Sequence, residues 1–497
     1  MRITFLHPPV WPGTRPVDRV YGCTYALYPI PNIFVLGYAA VLEREGHTVR
    51  FIDAPNERMS PRAFRSFLRC DTSTVYSIHS VNLSQAIDTE AHRVIRSLRP
   101  EAWIVFTGPA PTDRPDEFLL DERTVVARGE PDYILRDVVR AIESGEGENT
   151  LRTIRGLSFS VGEERMHNTT AGEIENLDEL PFPARHLLNP RLYHNPKLPD
   201  EPMTAAITSR NCAYRCIYCV PNSLGFAREI EHKRFDGHDV PKEGKLPEGY
   251  GKFLKPLVRK RSPENVVREF RLLRDQGYRS VSIVDDQFLW EEERTIAICD
   301  GMKPLGLWWG CLARADRVTR FSANAMAGSG CRYVDLGIES FNPKTLAYIR
   351  KNATVERMRE GVRLLQEAGI KVKVNMLLGA NPNETEEEIW SSIREVIALK
   401  PETIMFSIVS PFPGTEFHEI AQREGYLPPG GYRPTSVQHR GITSFPHLSR
   451  TDLDRLVKQA NLSFFARPDV IARNAWRLTR PRSAWAAALA LKEKFVG

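Results

Sequence analysis

The feature of this sequence that most constrains its fold is a regular alternation of short apolar runs with longer segments of helical periodicity. In residues 1–150 the apolar runs end at polar or turn residues, and the segments between them repeat apolar residues every three or four positions. This alternation is typical of α/β proteins, in which helices join parallel strands. We therefore predict an N-terminal Rossmann-like, doubly wound sheet with the strands RITFLH, TVRFIDA, STVYSIHS, AWIVFTG and TVVARGE.

A second series of the same kind occupies residues 197–425 and predicts a partial (β/α)6 barrel of the TIM type, with its site at the carboxyl ends of the strands. Residues 151–196 are polar and turn-rich, which predicts a linker. Residues 221–262 lack periodicity and predict a long loop or lid. Residues 426–497 predict a helical C-terminal extension. The six candidate barrel strands are 203–209, 280–286, 307–314, 333–340, 371–379 and 403–410.

Composition narrows the class of protein. The net charge is only +6, and acidic residues are interspersed with the basic ones, so nucleic-acid binding is not expected. The N-terminal residues do not read as a secretory signal, and no apolar stretch reaches the roughly 18 residues that a membrane span needs. Three of the eight cysteines are clustered and five are scattered, unlike a disulfide framework. We expect a cytoplasmic protein.

The three clustered cysteines, Cys212, Cys216 and Cys219, have C-x3-C-x2-C spacing in a loop that follows the first strand of the second series. Structural zinc sites have four ligands, and His232 and His238 are the nearest downstream candidates for a fourth. Three thiolates suit a [4Fe–4S] cluster that keeps one iron open for a substrate. A structural zinc site in a protein without catalytic activity is the alternative hypothesis.

The cysteine spacing, with Tyr218 just before the last cysteine, resembles the radical S-adenosylmethionine (radical SAM) superfamily. The resemblance implies that SAM chelates the open iron through its amino and carboxylate groups. It also implies that an electron from the cluster cleaves SAM to a 5′-deoxyadenosyl radical, which abstracts a substrate hydrogen. An external electron donor such as flavodoxin or ferredoxin is then required.

Further motifs in the second series resemble this family and imply the residues that bind SAM. They are SIVDDQFLW on the second strand, YVDLGIES on the fourth, LLGANPNETEEEI after the fifth and SPFPGTEF after the sixth. Arg314 is a candidate either for the SAM carboxylate or for a structural ion pair. The candidate SAM-binding residues are Tyr218, Asp285, Asp286, Arg314, Glu339, Ser340 and Gly379.

The N-terminal segments FVLGYAAVLEREGHTVRFIDA, VVARGEPDYILRDVVRAI and GEIENLDELPFPARHLL resemble the cobalamin-binding-domain radical SAM proteins. That group includes class B radical SAM methyltransferases and the anaerobic magnesium-protoporphyrin ester cyclase. The resemblance implies a domain that holds cobalamin over the barrel mouth, here without the D-x-H-x-x-G motif that supplies an axial histidine. Residues at strand ends are the candidate cobalamin contacts: His7, Ser80, Gly108 and Gly129, with His79 as a second histidine.

These observations predict a radical SAM enzyme, with cobalamin-dependent methylation of an unactivated carbon as the favoured reaction. A radical oxidation, cyclisation or rearrangement without methyl transfer is the alternative. Methylthiolation of tRNA would need a second cysteine cluster, which Cys23 and Cys70 do not provide.

The C-terminal segment 474–495 mixes tryptophans and basic residues with apolar ones. It is either a membrane-surface helix or a helix packed on the barrel. The former suits a small hydrophobic substrate such as a lipid, an isoprenoid or a tetrapyrrole.

Overall fold

The structure is a computed structural model that describes residues 1–219 and 258–475, apart from six single positions: Cys23, Leu27, Glu146, Pro199, Pro434 and His439. The chain divides into two compact units. The described part of the first comprises residues 1–25, 31–192 and 258–260; that of the second comprises residues 26–30, 193–219 and 261–475. Most of the predicted loop at 221–262 lies outside the described residues.

The first unit is built on a seven-stranded sheet. Its strands are β1 (Arg2–His7), β2 (Thr48–Asp53), β3 (Val75–His79), β4 (Trp103–Thr107), β5 (Thr124–Ala127), β6 (Leu157–Val161) and β7 (Glu164–His167). Their order is β2-β1-β3-β4-β5-β6-β7, with parallel pairing from β2 to β5 and antiparallel pairing of β6 and β7. All five predicted strands are confirmed. The sheet also extends beyond residue 150, because β6 and β7 fall in the segment predicted as a linker.

Six helices accompany this sheet: α1 (Ile33–Arg44), α2 (Pro61–Cys70), α3 (Gln85–Leu98), α4 (Pro109–Asp113), α5 (Pro131–Ser144) and α6 (Glu148–Leu151). Helix α1 begins where the Asn32 side chain accepts a hydrogen bond from the Val35 amide, and it ends just before Gly46, whose φ is +86°. The order of the parallel strands reverses between β1 and β3. Ligands of such sheets bind beyond the carboxyl ends of the two strands at this switch point.

The second unit contains six parallel strands that pair in chain order: β8 (Met203–Ala206), β11 (Ser280–Ile283), β12 (Trp308–Arg314), β13 (Cys331–Glu339), β14 (Lys371–Leu378) and β15 (Thr403–Ile408). The labels β9 and β10 denote two-residue strands, Ser209–Arg210 and Arg259–Lys260. All six predicted strands are confirmed. Their sequential, all-parallel order is that of a (β/α)6 array.

Seven helices lie between or after these strands: α7 (Pro263–Asp275), α8 (Glu292–Met302), α9 (Arg320–Gly328), α10 (Pro343–Tyr348), α11 (Val355–Glu367), α12 (Glu386–Ala398) and α13 (Glu416–Arg423). The C-terminal extension contributes α14 (Arg450–Phe465) and α15 (Pro468–Ala475). Within the described residues, no helix has the length and apolarity needed to traverse a membrane. Most of the predicted membrane-surface segment, from residue 476 onward, lies outside the described residues.

Candidate functional site

The three clustered cysteines lie in a loop that follows β8 and a short strand. Cys212, Cys216 and Cys219 are each half-buried. The loop begins at Asn211, whose φ of +73° is a left-handed conformation that few residues other than glycine adopt. Its end is a turn in which the Cys219 amide donates to the Cys216 carbonyl at 3.1 Å. The loop therefore has a defined, strained backbone that presents three thiols.

The base of the cysteine loop is held by Asp285, which follows β11. Its buried carboxylate accepts hydrogen bonds from the Thr208 amide (2.6 Å), the Thr208 hydroxyl (2.6 Å) and the Ser209 hydroxyl (2.7 Å). Sequence analysis proposed Asp285 as a SAM-binding residue. In the structure its oxygens bind the segment leading into the cysteines, and its contact with SAM stays a prediction. Asp286 is the half-buried neighbour, and burial followed by the charge of Asp286 raises the pKa of Cys212 to about 12.

An aromatic stack holds the middle of the loop. The Arg314 guanidinium lies 3.6 Å from the ring centroid of Tyr214, and the Trp290 ring stacks on Tyr214 with centroids 6.2 Å apart. Trp290 in turn donates from Nε1 to the Ser209 hydroxyl at 3.1 Å. Arg314 also pairs with Asp316 at 3.0 Å. Of the two roles considered for Arg314, the structure shows the ion pair and adds the stack on the cysteine loop.

Two later segments bind the second half of the loop. The Ile217 amide donates to the Ile349 carbonyl at 3.2 Å, and the Cys216 sulfur lies 3.8 Å from the Arg350 carbonyl oxygen. The Phe417 amide, in the SPFPGTEF motif, donates to the Ile217 carbonyl at 2.9 Å. The segments after β13 and β15 thus fix the backbone between the second and third cysteines.

Glu339, the predicted SAM-binding carboxylate, ends β13 in a left-handed conformation with a φ of +71°, where the β13–β14 register shifts. Its carboxylate accepts from the Lys351 ammonium at 3.0 Å and is hydrogen-bonded to Tyr218. A Cβ on Gly337 would lie 2.7 Å from Glu339 Oε1 and 3.1 Å from Lys351 Nζ. The absence of a side chain at 337 therefore leaves room for the ends of both side chains of this ion pair.

Backbone strain is concentrated here. Among the described residues other than glycine, six have a positive φ. Four of the six adjoin the cysteines or Glu339: Asn211, Glu339, Arg350 and Asn352. Such strain persists only where the surrounding structure enforces it, and it is common at functional sites. Sequence analysis identified Glu339 but missed Lys351, Tyr214 and Trp290. Tyr214 lies inside the cysteine motif and Trp290 ends the motif SIVDDQFLW, so both had a sequence signal, whereas Lys351 lies in none of the motifs.

The donor set fits an iron–sulfur cluster. Burial raises the pKa of all three thiols, while the charges of Lys351 and Arg314 act in the opposite direction on Cys216. Thiolates that replace these thiols on iron binding would thus have two buried cations beside them. Among the described residues, no three His, Cys, Asp or Glu side chains are grouped to hold a metal ion. A [4Fe–4S] cluster, by contrast, distributes its cysteines over separate irons.

Two other candidate SAM residues have packing contacts. The Ser340 hydroxyl accepts from the Asn342 amide at 3.0 Å and lies 3.3 Å from the Ser392 hydroxyl. A Cβ on Gly379, whose φ is +70°, would lie 2.8 Å from Leu453 in α14. The structure thus places Ser340 at the start of α10 and Gly379 against the C-terminal extension. Their contact with SAM stays a prediction.

Two histidines of the first unit, His7 and His79, are buried at strand ends. His7 lies 3.5 Å from an Asp53 oxygen through Nδ1 and 3.2 Å from the Asn32 amide nitrogen through Nε2. His79 lies 3.3 Å from the Thr107 hydroxyl, and burial lowers its pKa to about 3. Both rings are over 90% buried and the pKa of each is lowered, so both are neutral at physiological pH. Such rings fit a cobalamin domain that supplies no axial histidine.

The small candidate residues of the first unit are explained by its own packing. A Cβ on Gly108, whose φ is +104°, would lie 2.5 Å from the Ser80 carbonyl oxygen and 3.0 Å from the His79 ring. Ser80 is fully buried, and the Gly129 amide donates to the Thr112 hydroxyl at 3.1 Å. The ends of β3 and β4 therefore approach each other closely, beside the switch point. Contact of these residues with cobalamin stays a prediction.

The geometry of a strained three-cysteine loop at the carboxyl end of the first strand of a parallel array agrees with a family comparison. Residues 206–396 match the model of the radical SAM superfamily. The chain therefore contains a radical SAM domain, which implies a [4Fe–4S] cluster and SAM.

Individual relatives resemble nearly the whole chain. A protein of Pyrococcus horikoshii named as an uncharacterized methyltransferase is 25% identical over 95% of this chain and 94% of its own length. The anaerobic magnesium-protoporphyrin IX monomethyl ester cyclase of Cereibacter sphaeroides is 24% identical over 84% of this chain and 64% of its own length. The radical SAM methyltransferase TsrM of Kitasatospora setae, solved with cobalamin and a [4Fe–4S] cluster, has a TM-score of 0.63. The match has 18% identity and covers 92% of this chain and 84% of TsrM. These likenesses extend the similarity of fold to the N-terminal unit.

Proposed function

We propose that this radical SAM enzyme is cobalamin-dependent and methylates an unactivated carbon of a small molecule. The observation that carries the proposal is the combination, in one chain, of the braced cysteine loop with a 2-1-3-4-5 parallel arrangement whose strand-end histidines, His7 and His79, are both buried. Support also comes from the similarity of fold to TsrM, which holds cobalamin, and from the relative named as a methyltransferase.

The residues of the chain have distinct tasks in this proposal. Cys212, Cys216 and Cys219 hold the cluster, and Glu339 is the acceptor for the SAM amino group or ribose. When bound, the cluster supplies the electron that cleaves SAM, and cobalamin carries the methyl group to the substrate. Because Lys351 pairs with Glu339 in this structure, it orients that carboxylate and offsets its charge beside the cysteines.

The first unit provides a platform at the β1–β3 switch point. The buried, neutral His7 and His79 are part of this platform and do not serve as ligands to the cobalt of cobalamin, since both rings contact neighbouring side chains. An external electron donor, such as flavodoxin or ferredoxin, is required because conversion of two SAM molecules to the methylated product, S-adenosylhomocysteine, methionine and 5′-deoxyadenosine consumes two electrons. The expected substrate is a secondary metabolite or another small molecule with an unactivated C–H bond.

A second candidate function is a radical oxidation, cyclisation or rearrangement without methyl transfer. The similarity to the anaerobic cyclase supports it, although this chain spans only 64% of that relative. The two functions differ in their by-products. Methyl transfer leaves S-adenosylhomocysteine from one SAM, and reductive cleavage of a second SAM leaves methionine and 5′-deoxyadenosine. The alternative leaves only the latter pair.

The test is to purify the full chain anaerobically, reconstitute iron and sulfide, add hydroxocobalamin, and measure iron and tightly bound cobalamin on one sample. SAM and a reductant are then added, and both by-products are quantified with and without cobalamin. About four irons with stoichiometric cobalamin, and S-adenosylhomocysteine that requires cobalamin, would support methyl transfer. Four irons and 5′-deoxyadenosine without cobalamin binding would contradict it and favour the alternative.

A further inference from the structure

The inner face of the second unit carries a charged cluster that the proposed reaction does not use. Lys373 on β14 is the register partner of Asp335 on β13, and Lys197 comes from the segment before β8. One oxygen of Asp335, Oδ2, accepts from both ammonium groups, at 2.7 Å from Lys197 and 3.1 Å from Lys373. We call these three residues the Lys–Asp–Lys cluster.

The Lys–Asp–Lys cluster has unbalanced charge. Two lysines and one aspartate sum to +1, and the charges that lower the pKa of Asp335 are those of Lys197 and Lys373. The aspartate side chain is 6% exposed and each lysine side chain 20% exposed. A net charge that is largely removed from water raises the free energy of the folded protein. Binding of a negatively charged group beside the lysines would therefore stabilise this cluster.

Within the part of the chain that the structure describes, the cluster also has hydrogen-bonding capacity that no neighbour uses. Each ammonium has three N–H donors and directs one of them to Asp335. Lys197 additionally lies over the Tyr333 ring, 4.2 Å from its centroid. The second oxygen of Asp335, Oδ1, is buried and has no hydrogen-bond partner among the described residues. The site can thus donate several hydrogen bonds to an anion and accept one from a neighbouring hydroxyl or amine.

The cluster faces the same interior as the proposed SAM site. Asp335 and Gly337 are two positions apart on β13 and therefore lie on the same face of the strand. The carboxylate of Glu339 lies on that face too, because a Cβ on Gly337 would be 2.7 Å from Glu339 Oε1. Glu339 follows Asp335 by four positions, or roughly 13 Å along the strand. A small molecule held at the lysines would reach toward Glu339.

We propose that Lys197 and Lys373, which share Asp335 as a partner, form an oxyanion-binding subsite for the substrate. The substrate then carries a carboxylate or a phosphate, rather than being a hydrocarbon lipid alone. This inference rests on the proposed function for the reaction that the bound molecule undergoes, but binding of the anion is independent of that reaction.

The test uses the reconstituted full chain and two probes, acetate and inorganic phosphate, each titrated by calorimetry. The variants are Lys197→Met and Lys373→Met, which remove one ammonium each while keeping a long side chain. Lys371→Met is the matched control, because Lys371 is on the same strand but exposed, 3.8 Å from Glu402. Asp335→Asn raises the formal charge of the cluster from +1 to +2.

We expect one of the two anions to bind the unmodified protein and to bind each Lys→Met variant at least tenfold more weakly, the size expected for a charged hydrogen bond. Lys371→Met should bind as the unmodified protein does, and Asp335→Asn more tightly. The anion with the higher affinity identifies the substrate group as carboxylate or phosphate. Equal binding by all proteins, or binding by none, would overturn the subsite. Formation of 5′-deoxyadenosine by the unmodified protein tests the proposed function separately.

Discussion

At the scale of single residues, the cysteine loop depends on side chains that come from several later strands. Asp285 binds the entry of the loop, Tyr214 is stacked between Arg314 and Trp290, and Phe417 binds the backbone after the second cysteine. These contacts hold three thiols in fixed positions before iron binds. Preorganisation of this kind should slow the loss of the cluster once it has formed.

Tyr214→Ala should therefore increase the rate at which the reconstituted protein loses iron to a chelator. The substitution removes a cation–π contact and a ring stack, together worth about 1–2 kcal/mol, which corresponds to roughly a five- to thirtyfold effect. Tyr214→Phe is the control, since it keeps the ring and should retain iron as the unmodified protein does. If the two variants lost iron at the same rate, the stack would not be a positioning device.

Local motifs in the sequence were sufficient to single out the cysteines and Glu339, which the structure brings close together through Tyr218. Their binding of a cluster and of SAM stays a prediction. The sequence was not sufficient to predict Lys351 or the scaffold role of Asp285. The role of Lys351 depends on left-handed backbone conformations at Glu339, Arg350 and Asn352, and the residue types at these positions do not predict such conformations. The role of Asp285 depends on its contact with Thr208, which is 77 positions away in the sequence and is not marked by any local motif.

At the scale of elements, Glu384 joins two helices of the second unit. It precedes α12, and its carboxylate accepts from the Thr345 hydroxyl of α10 at 2.7 Å, with Asn342 at 3.5 Å. Burial raises the pKa of Glu384 to about 7 from its ordinary 4.5. The folded protein therefore binds more protons than the unfolded chain between pH 4.5 and 7, and this residue's contribution to stability falls as pH rises through that range.

Glu384→Gln should remove this contribution while keeping an acceptor oxygen for Thr345. Relative to the unmodified protein, the variant should gain stability from pH 5 to pH 8, by up to about 3 kcal/mol in the free energy of unfolding. The apparent unfolding temperature, measured across that range, reports the difference. Glu387→Gln, at an exposed site in the same helix, is the control. A pH-independent difference between Glu384→Gln and the control would contradict the burial argument.

The sequence predicted the strands of both sheets because each combines an apolar run with turn residues at its ends. It did not place β6 and β7 in the first sheet. Strand β7 is half to fully exposed, with the polar sequence ERMH, so no hydrophobic pattern marks it. Pairing with β6 across a short turn, rather than burial, defines this strand.

At the scale of the whole molecule, two α/β units with different strand orders share one chain. The first has a switch point and neutral histidines, and the second has a parallel array with three cysteines after its first strand. In the proposed function, the first unit holds the carrier of the methyl group and the second unit generates the radical. Both tasks depend on the cluster, since no radical forms without it.

The most direct test of the account is therefore the iron content and the rate of 5′-deoxyadenosine formation of the anaerobically reconstituted protein and of Cys216→Ala. Cys70→Ala, at an exposed cysteine of the first unit, is the control. We predict about four irons and SAM cleavage for the unmodified protein and for Cys70→Ala. We predict that Cys216→Ala stays folded but cleaves SAM at least a hundredfold more slowly. SAM cleavage by Cys216→Ala at the unmodified rate would contradict the assignment of the cluster to this loop.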